Sequence, residues 1–504
     1  MSRLGKPLIQ STATHLAQLA ISLGLVVVVS RILPPAEVGV YLMAYAVVLL
    51  VLPLRDFQIQ SFLIQREEVN TQTLRAVSFA AWGSATVALL ICLVGAAIFS
   101  WFAAQPDIAI CLLILSGSFV LRPLALPAIG LLSRELDYGS LAWIRLCAAL
   151  AKVIVTLGLL AGGMGAEALA WGIVAETAVE VAAVFKVPQR HRFILPHRTG
   201  SREVVAYCAP FSGAHMVITF SVALTPLFIG GYQGLAMTAF FNRGRTLMQF
   251  FRSSVEGAVQ PIVLAEFSRV RDNLDELHAS FVSATSLLTA LTWPALAWLI
   301  VVAEPLVILL FGEAWALSGD LAQILAAGAM IYCMTALSPQ LHAALNETKL
   351  LLARDTLLQL PLVVLLVVTA PISVEAVAKA FVAYAVLNFA VHYVLLRRSI
   401  GLGLRHAVGG LAKSAFVAVA VALGTLFVME IAALPTPAWS VLLAGAAGAV
   451  LWISALVIAR HDLLLAARHW LAGEPALGRG LDSGERSSEF ATDPSEQRAQ
   501  AKEP

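Results

Sequence analysis

Five charged side chains sit where apolar sequence should leave none. Arg122, Lys152, Glu176, Arg243 and Arg245 each fall near the middle of an apolar run. A charge at mid-depth in hydrocarbon costs several kcal/mol, so such a residue faces a wet cavity or a partner. Four of the five are cations, and the planar fork of arginine suits phosphate or carboxylate. The chemistry they point to is capture of an anion, without bond making or breaking. Lys152 and Glu176 reach similar depth on two consecutive antiparallel runs, which permits an ion pair. Two readings of that pair stand open: it borders a polar cavity and changes partner, or it fixes helix packing. Glu180 lies one turn from Glu176 and should share its face. Arg122 precedes Pro123 and Pro127, which predicts a bend that aims the guanidinium inward. Arg243 and Arg245 bracket Gly244 and cannot share a face, with Arg243 the better placed for a cavity. Arg55, Asp56 and Glu256 lie near one edge of their runs and are candidates for an inner gate. His215, alone in its run, reads as a packed histidine.

The elements that must carry these residues follow from composition. Of 504 residues, 59% are hydrophobic and 13% charged, whereas a soluble domain carries about 25% charged residues. The apolar runs have the length of a helix crossing hydrocarbon, roughly twenty residues, and lack the alternation of a β-barrel. The fold class is therefore an all-α integral membrane protein with about fourteen transmembrane helices: 12–30, 36–54, 74–100, 108–132, 141–162, 166–186, 204–229, 232–252, 279–302, 320–345, 350–370, 374–396, 408–431 and 437–459. The first run reads as a span and not as a removed signal peptide. The five cysteines are scattered through apolar runs and read as small hydrophobes.

Connectors alternate in charge. One set carries Arg55, Arg66, Arg75, Arg134, the Lys186–Arg202 segment, Arg269, Arg271, Arg397, Arg398 and Arg460. The other is nearly free of Lys and Arg, with Arg31 and Lys379 the exceptions. This is the positive-inside pattern, and it predicts both termini on the cytoplasmic side. A Gly–Tyr turn recurs as VGVY at 38–41 and IGGY at 229–232, at an offset that predicts two parallel six-helix halves. The expected division is 1–200 and 201–400 as two six-helix lobes, 401–460 as two additional helices, and 461–504 as a disordered cytoplasmic tail. No GxxxxGK[ST] loop, HExxH motif or metal-spaced cluster occurs in the sequence. Neither an enzyme, a metal nor a cofactor is predicted, and no nucleic-acid groove.

The stretch Ser30 to Tyr41 (SRILPPAEVGVY), followed by Arg55 to Arg66 (RDFQIQSFLIQR), resembles the polysaccharide flippases of the multidrug/oligosaccharidyl-lipid/polysaccharide exporter superfamily. Residues 226–269 resemble the second-half counterpart. Gln58 departs from the pattern, standing where glycine is typical. The resemblance implies a V-shaped pair of six-helix bundles around a cationic cavity. It also implies movement of undecaprenyl-pyrophosphate-linked oligosaccharide across a bacterial inner membrane for exopolysaccharide or O-antigen synthesis. Partners would be that lipid carrier, membrane lipid, and the polysaccharide polymerase and glycosyltransferases. By position, Arg122, Lys152, Arg243 and Arg245 are the candidate cavity cations. A cation-coupled multidrug exporter, a lipid II flippase and a non-transporting scaffold of a polysaccharide synthase are the alternatives.

Overall fold

The computed structural model describes residues 5–101, 104–187, 195–432, 437–461 and 463–464. The expected tail beyond 464 and the middle of the basic Lys186–Arg202 segment lie outside the described residues. The described chain is helical: α1 Gly5–Ile32, α2 Pro35–Asp56, α3 Ile59–Gln65, α4 Thr71–Trp101, α5 Pro106–Arg134, α6 Tyr138–Ala161, α7 Ala166–Val184, α8 Ser201–Gln233, α9 Leu235–Val270, α10 Leu274–Phe311, α11 Leu317–Cys333, α12 Ser338–Ala344, α13 Thr348–Thr369, α14 Val374–Ile400, α15 Leu404–Ala432 and α16 Pro437–Ile458. Among the described residues, ten helices are long and apolar enough to cross a membrane.

Local sequence sets the boundaries. Proline opens α2 and α5, where its missing N–H costs nothing. The side chains of Asp137, Asn273 and Ser373 accept from the first free N–H groups of α6, α10 and α14. Gly312 ends α10 with φ 101°, a value that a side chain would disfavour. α5 runs as one helix through Pro123 and Pro127, the prolines expected to bend it. Past the expected end of the second run the chain breaks between α2 and α3, where Phe57 and Gln58 both take positive φ, 42° and 49°.

The packing repeats along the chain. α1 lies on α6, α2 on α4 and α5, α4 on α5, and α5 and α6 on α7. In the same relation α8 lies on α13, α9 on α10 and α11, α10 on α11, and α11 and α13 on α14. α15 and α16 pair with each other and rest on α10, while α2 joins the two sets by meeting α8 and α9. Small residues allow these approaches: a Cβ on Gly39 would lie 2.1 Å from the Leu235 carbonyl oxygen. Large apolar side chains such as Leu360, Val364, Phe427 and Leu442 stand exposed on the outer faces. Hydrocarbon is the solvent that removes the cost of that exposure.

Candidate functional site

A cavity of about 150 Å³ opens where α1, α2, α6, α7 and α9 converge. Its apolar wall comes mainly from α1, with Ile21, Leu25, Val26 and Val29, and its polar groups are Ser22, Tyr41, Lys152, Glu176 and Arg243. Lys152 Nζ lies 3.1 Å from Glu176 Oε2, and both side chains are about a third exposed, at 29% and 34%. Arg243 approaches from the opposite side and is only 5% exposed. Its Nε donates to Ser30 Oγ at 2.8 Å, and its guanidinium sits 5.2 Å from the Trp315 ring centroid. No carboxylate among the described residues pairs with Arg243 in the way that Glu176 pairs with Lys152. The cavity therefore holds a compensated lysine and an uncompensated arginine, a net positive site suited to an anion.

The other candidates are distributed around it. Arg122 Nε donates to Asp56 Oδ1 at 3.1 Å and its Nη1 donates to Glu180. Arg55 also donates to Asp56, at 3.2 and 3.4 Å. Two guanidinium groups and two carboxylates thus compensate one another below the cavity. Glu176 and Glu180 serve different partners, because α7 is flanked by α5 and α6. Arg245 is half-buried on α9, one turn pair above Arg252, which lies 3.8 Å from Glu256 and 4.7 Å from the Tyr332 ring centroid. The structure brings together Lys152, Glu176 and Arg243, places Arg122 with Arg55, Asp56 and Glu180, and leaves Arg245 and Glu256 in a third group.

Two polar seams join the two sets of helices away from the cavity wall. On the side of the basic-poor connectors, Arg31 donates to the terminal carbonyls of α10: Leu310 at 3.1 Å, Ile308 at 3.4 Å, and Leu309. Trp315 Nε1 donates to the Ser30 carbonyl at 2.8 Å beside them. The last carbonyls of a helix lack internal donors and carry partial negative charge, so an arginine is well matched there. On the other side Arg66 pairs with Glu203, and Tyr207 donates to Gln65 Oε1 at 2.7 Å. The Glu203 carboxylate, through its hydrogen bond, raises Arg66 above its already high ordinary value, so that cation stays charged.

Ser30, Tyr41, Arg252 and Trp315 were not legible as site residues. A signal existed for Arg252, which precedes Glu256 by four residues and follows Arg245 by seven. For Ser30 and Trp315, long-range packing alone makes the site. At about 150 Å³ the cavity is smaller than the ~300–1,000 Å³ of ordinary ligand pockets, so a larger ligand would need the surrounding helices to part.

Comparison with known proteins fixes the lineage. Residues 28–320, more than half of the chain, match the family described as polysaccharide biosynthesis protein. The lipopolysaccharide biosynthesis protein WzxC of Escherichia coli (strain K12) is 23% identical over 304 residues, covering 58% of this chain and 61% of that protein. That match spans less than two thirds of the relative. The inward closed conformation of the lipid II flippase MurJ superposes with a TM-score of 0.73 over 90% of this chain and 99% of that one, at 14% identity. An inward-facing multidrug resistance MATE transporter of the MOP superfamily superposes with a TM-score of 0.61 over 76% of this chain and 94% of that one, at 13% identity. The chain belongs to the polysaccharide biosynthesis protein family.

Proposed function

We propose that the chain translocates an anionic, polyprenyl-linked saccharide across a bacterial cytoplasmic membrane. The observation that carries this reading is the convergence of Lys152 from α6 and the uncompensated Arg243 from α9 on one cavity. Phosphate entering there would exchange water for Arg243 and draw Lys152 from Glu176, while the polyprenyl chain stays in lipid. The covalent structure of the cargo does not change. Arg122 and Arg245, each placed outside the cavity wall, act in holding and moving helices.

The architecture we propose is fourteen spans: lobes 1–200 and 201–400, two additional helices in 401–460, and both termini cytoplasmic. The repeated packing of the first set of helices by the second supports the two lobes, and the charge alternation of connectors supports the orientation. Rocking of the lobes about the α2–α9 contact would expose the cavity to alternate sides.

Two cargoes share the required chemistry. The matched family and WzxC favour an undecaprenyl-pyrophosphate-linked oligosaccharide repeat unit. Lipid II, another pyrophosphate-linked saccharide, is favoured by the likeness to the lipid II flippase, which covers 90% of the chain against 76% for the drug transporter. The test uses full-length protein in liposomes with each labelled lipid, and reads its transfer between leaflets. Transfer of one of them, reduced in Lys152→Ala and in Arg243→Ala, is the expected result. Equal rates in wild type and in the double variant would overturn the cavity assignment. Transfer of cationic dyes with no transfer of either lipid would replace this reading by drug export.

A further inference from the structure

One face of α2 is less tightly packed than its flanks. At about 100° of rotation per residue, Tyr41, Tyr45, Leu49, Leu52 and Asp56 fall on one side of the helix. All five are half-buried, whereas Met43, Ala44, Ala46, Val47 and Val48 are buried. Tyr41 lines the cavity together with Lys152, Glu176 and Arg243. The half-buried face therefore begins at the anion site and runs along α2 from there.

Two tyrosines occupy the cavity end of this face. The ring centroids of Tyr41 and Tyr45 are 5.6 Å apart and their planes differ by 17°, so the pair presents nearly parallel π faces. Packing between the rings does not account for the residue type. Phenylalanine would stack equally well, and a hydroxyl inside an apolar helix bundle costs free energy unless it is satisfied. Among the described residues neither hydroxyl has a hydrogen-bond partner, and neither oxygen is sealed from open space. An aromatic face carrying a free hydroxyl matches the chemistry of a sugar ring. A pyranose with equatorial hydroxyls presents a side made of axial C–H groups, which carry partial positive charge and settle on the negative π face. Its rim of hydroxyls suits a phenol, which both donates and accepts.

We propose that Tyr41 and Tyr45 form the subsite for the sugar attached directly to the pyrophosphate of the cargo. The subsite rests on the transport reading above, in which Arg243 and Lys152 take the phosphate. One helical turn, about 6 Å along the axis, separates Tyr45 from Tyr41, comparable to the step from a phosphate to the centre of the ring it carries. The tyrosine pair thus reads which sugar the carrier bears, and a bare polyprenyl pyrophosphate binds without it.

Full-length protein in lipid nanodiscs is offered citronellyl pyrophosphate alone, and the same short lipid carrying glucose, galactose or N-acetylglucosamine. At least one sugar should tighten wild-type binding over the bare probe by roughly three- to tenfold, the worth of an aromatic contact. Tyr41→Leu and Tyr45→Leu should lose most of that gain, and Tyr41→Phe and Tyr45→Phe, which keep the π face, should retain most of it. Binding of the bare probe should be the same in all four variants, which also reports that they fold. Equal wild-type affinity for all the probes, or a gain that survives in both leucine variants, overturns the subsite and leaves the anion site standing. A second measurement needs no anion site. Uncharged methyl glycosides of the same sugars are added to protein with ¹³C-labelled tyrosine rings, and the two signals that vanish in Tyr41→Phe and Tyr45→Phe are followed by NMR. At least one glycoside should shift both signals. Wild type that binds none of the pyrophosphates ends the anion reading, and the glycosides then decide the subsite: shifts at both rings uphold it, and unshifted rings overturn it. The same readout decides if a leucine variant fails to bind the bare probe.

Discussion

Arg122 and Arg243 have the same appearance in the sequence, each a cation deep in an apolar helix, and the fold gives them opposite surroundings. Arg122 is held between Asp56 and Glu180, whereas Arg243 has a hydroxyl and an indole face but no carboxylate. Removing one member of a buried pair leaves the others uncompensated. Asp56 is 38% exposed, which screens part of that cost, so Arg122→Met should lower stability by about 2–4 kcal/mol. Arg243→Met removes a buried charge that no anion repays, so it should leave stability unchanged or raised while transport falls at least about tenfold, the worth of one charged contact to cargo. Thermal unfolding in micelles and transfer rates in liposomes read the two effects separately. Loss of stability in Arg243→Met with none in Arg122→Met would reverse the assignment. The depth of these charges was legible because apolar runs count residues reliably. Their partners were not, because the choice between Glu176 and Glu180 depends on which helices flank α7.

At the scale of helices, the apolar pattern gave the positions of the long elements, and the backbone geometry at their ends came from the fold. Pro123 and Pro127 suggest a bend, and both lie inside the continuous helix α5. The interruption at Phe57 and Gln58 falls just past the expected end of the second run, where Gln58 replaces a typical glycine, and surrounding contacts hold the left-handed backbone against about 1–2 kcal/mol per residue. Arg31 was visible only as an exception to the charge alternation, and its position at the end of α10 explains the exception. If the Arg31–carbonyl and Trp315–Ser30 bonds hold the outer seam shut, Arg31→Ala combined with Trp315→Phe should favour the outward-open state. Hydrogen bonds to a charged group contribute about 1.5–3 kcal/mol each, so the open population should rise roughly tenfold or more. A cysteine placed at Ser22, on the cavity wall, should then react faster with an impermeant maleimide added outside. An unchanged rate would mean that the seam is closed by other contacts. The α2–α9 contact makes a second demand on its elements. In Gly39→Ala the new methyl would meet the Leu235 backbone, which cannot rotate away, so overpacking of about 1–3 kcal/mol and a matching fall in melting temperature are expected.

For the molecule as a whole, membrane character followed from composition, while the contacts between the two sets of helices required the structure. The α2 contacts with α8 and α9 join residues about two hundred positions apart, beyond anything that local periodicity records. The proposed orientation has a direct physical cause: cationic connectors are expected on the cytoplasmic side because moving them across is unfavourable. It can be read with single cysteines. The native cysteines are buried except Cys147, which is half-buried, so a Cys147→Ala background is quiet toward a charged maleimide. Gln105→Cys lies in a described connector with no neighbouring lysine or arginine, and Thr199→Cys lies between Arg198 and Arg202. In intact cells stripped of their outer membrane, Gln105→Cys should label at once. Thr199→Cys should label only after the cytoplasmic membrane is permeabilised. Labelling of Thr199→Cys in sealed cells would invert the molecule.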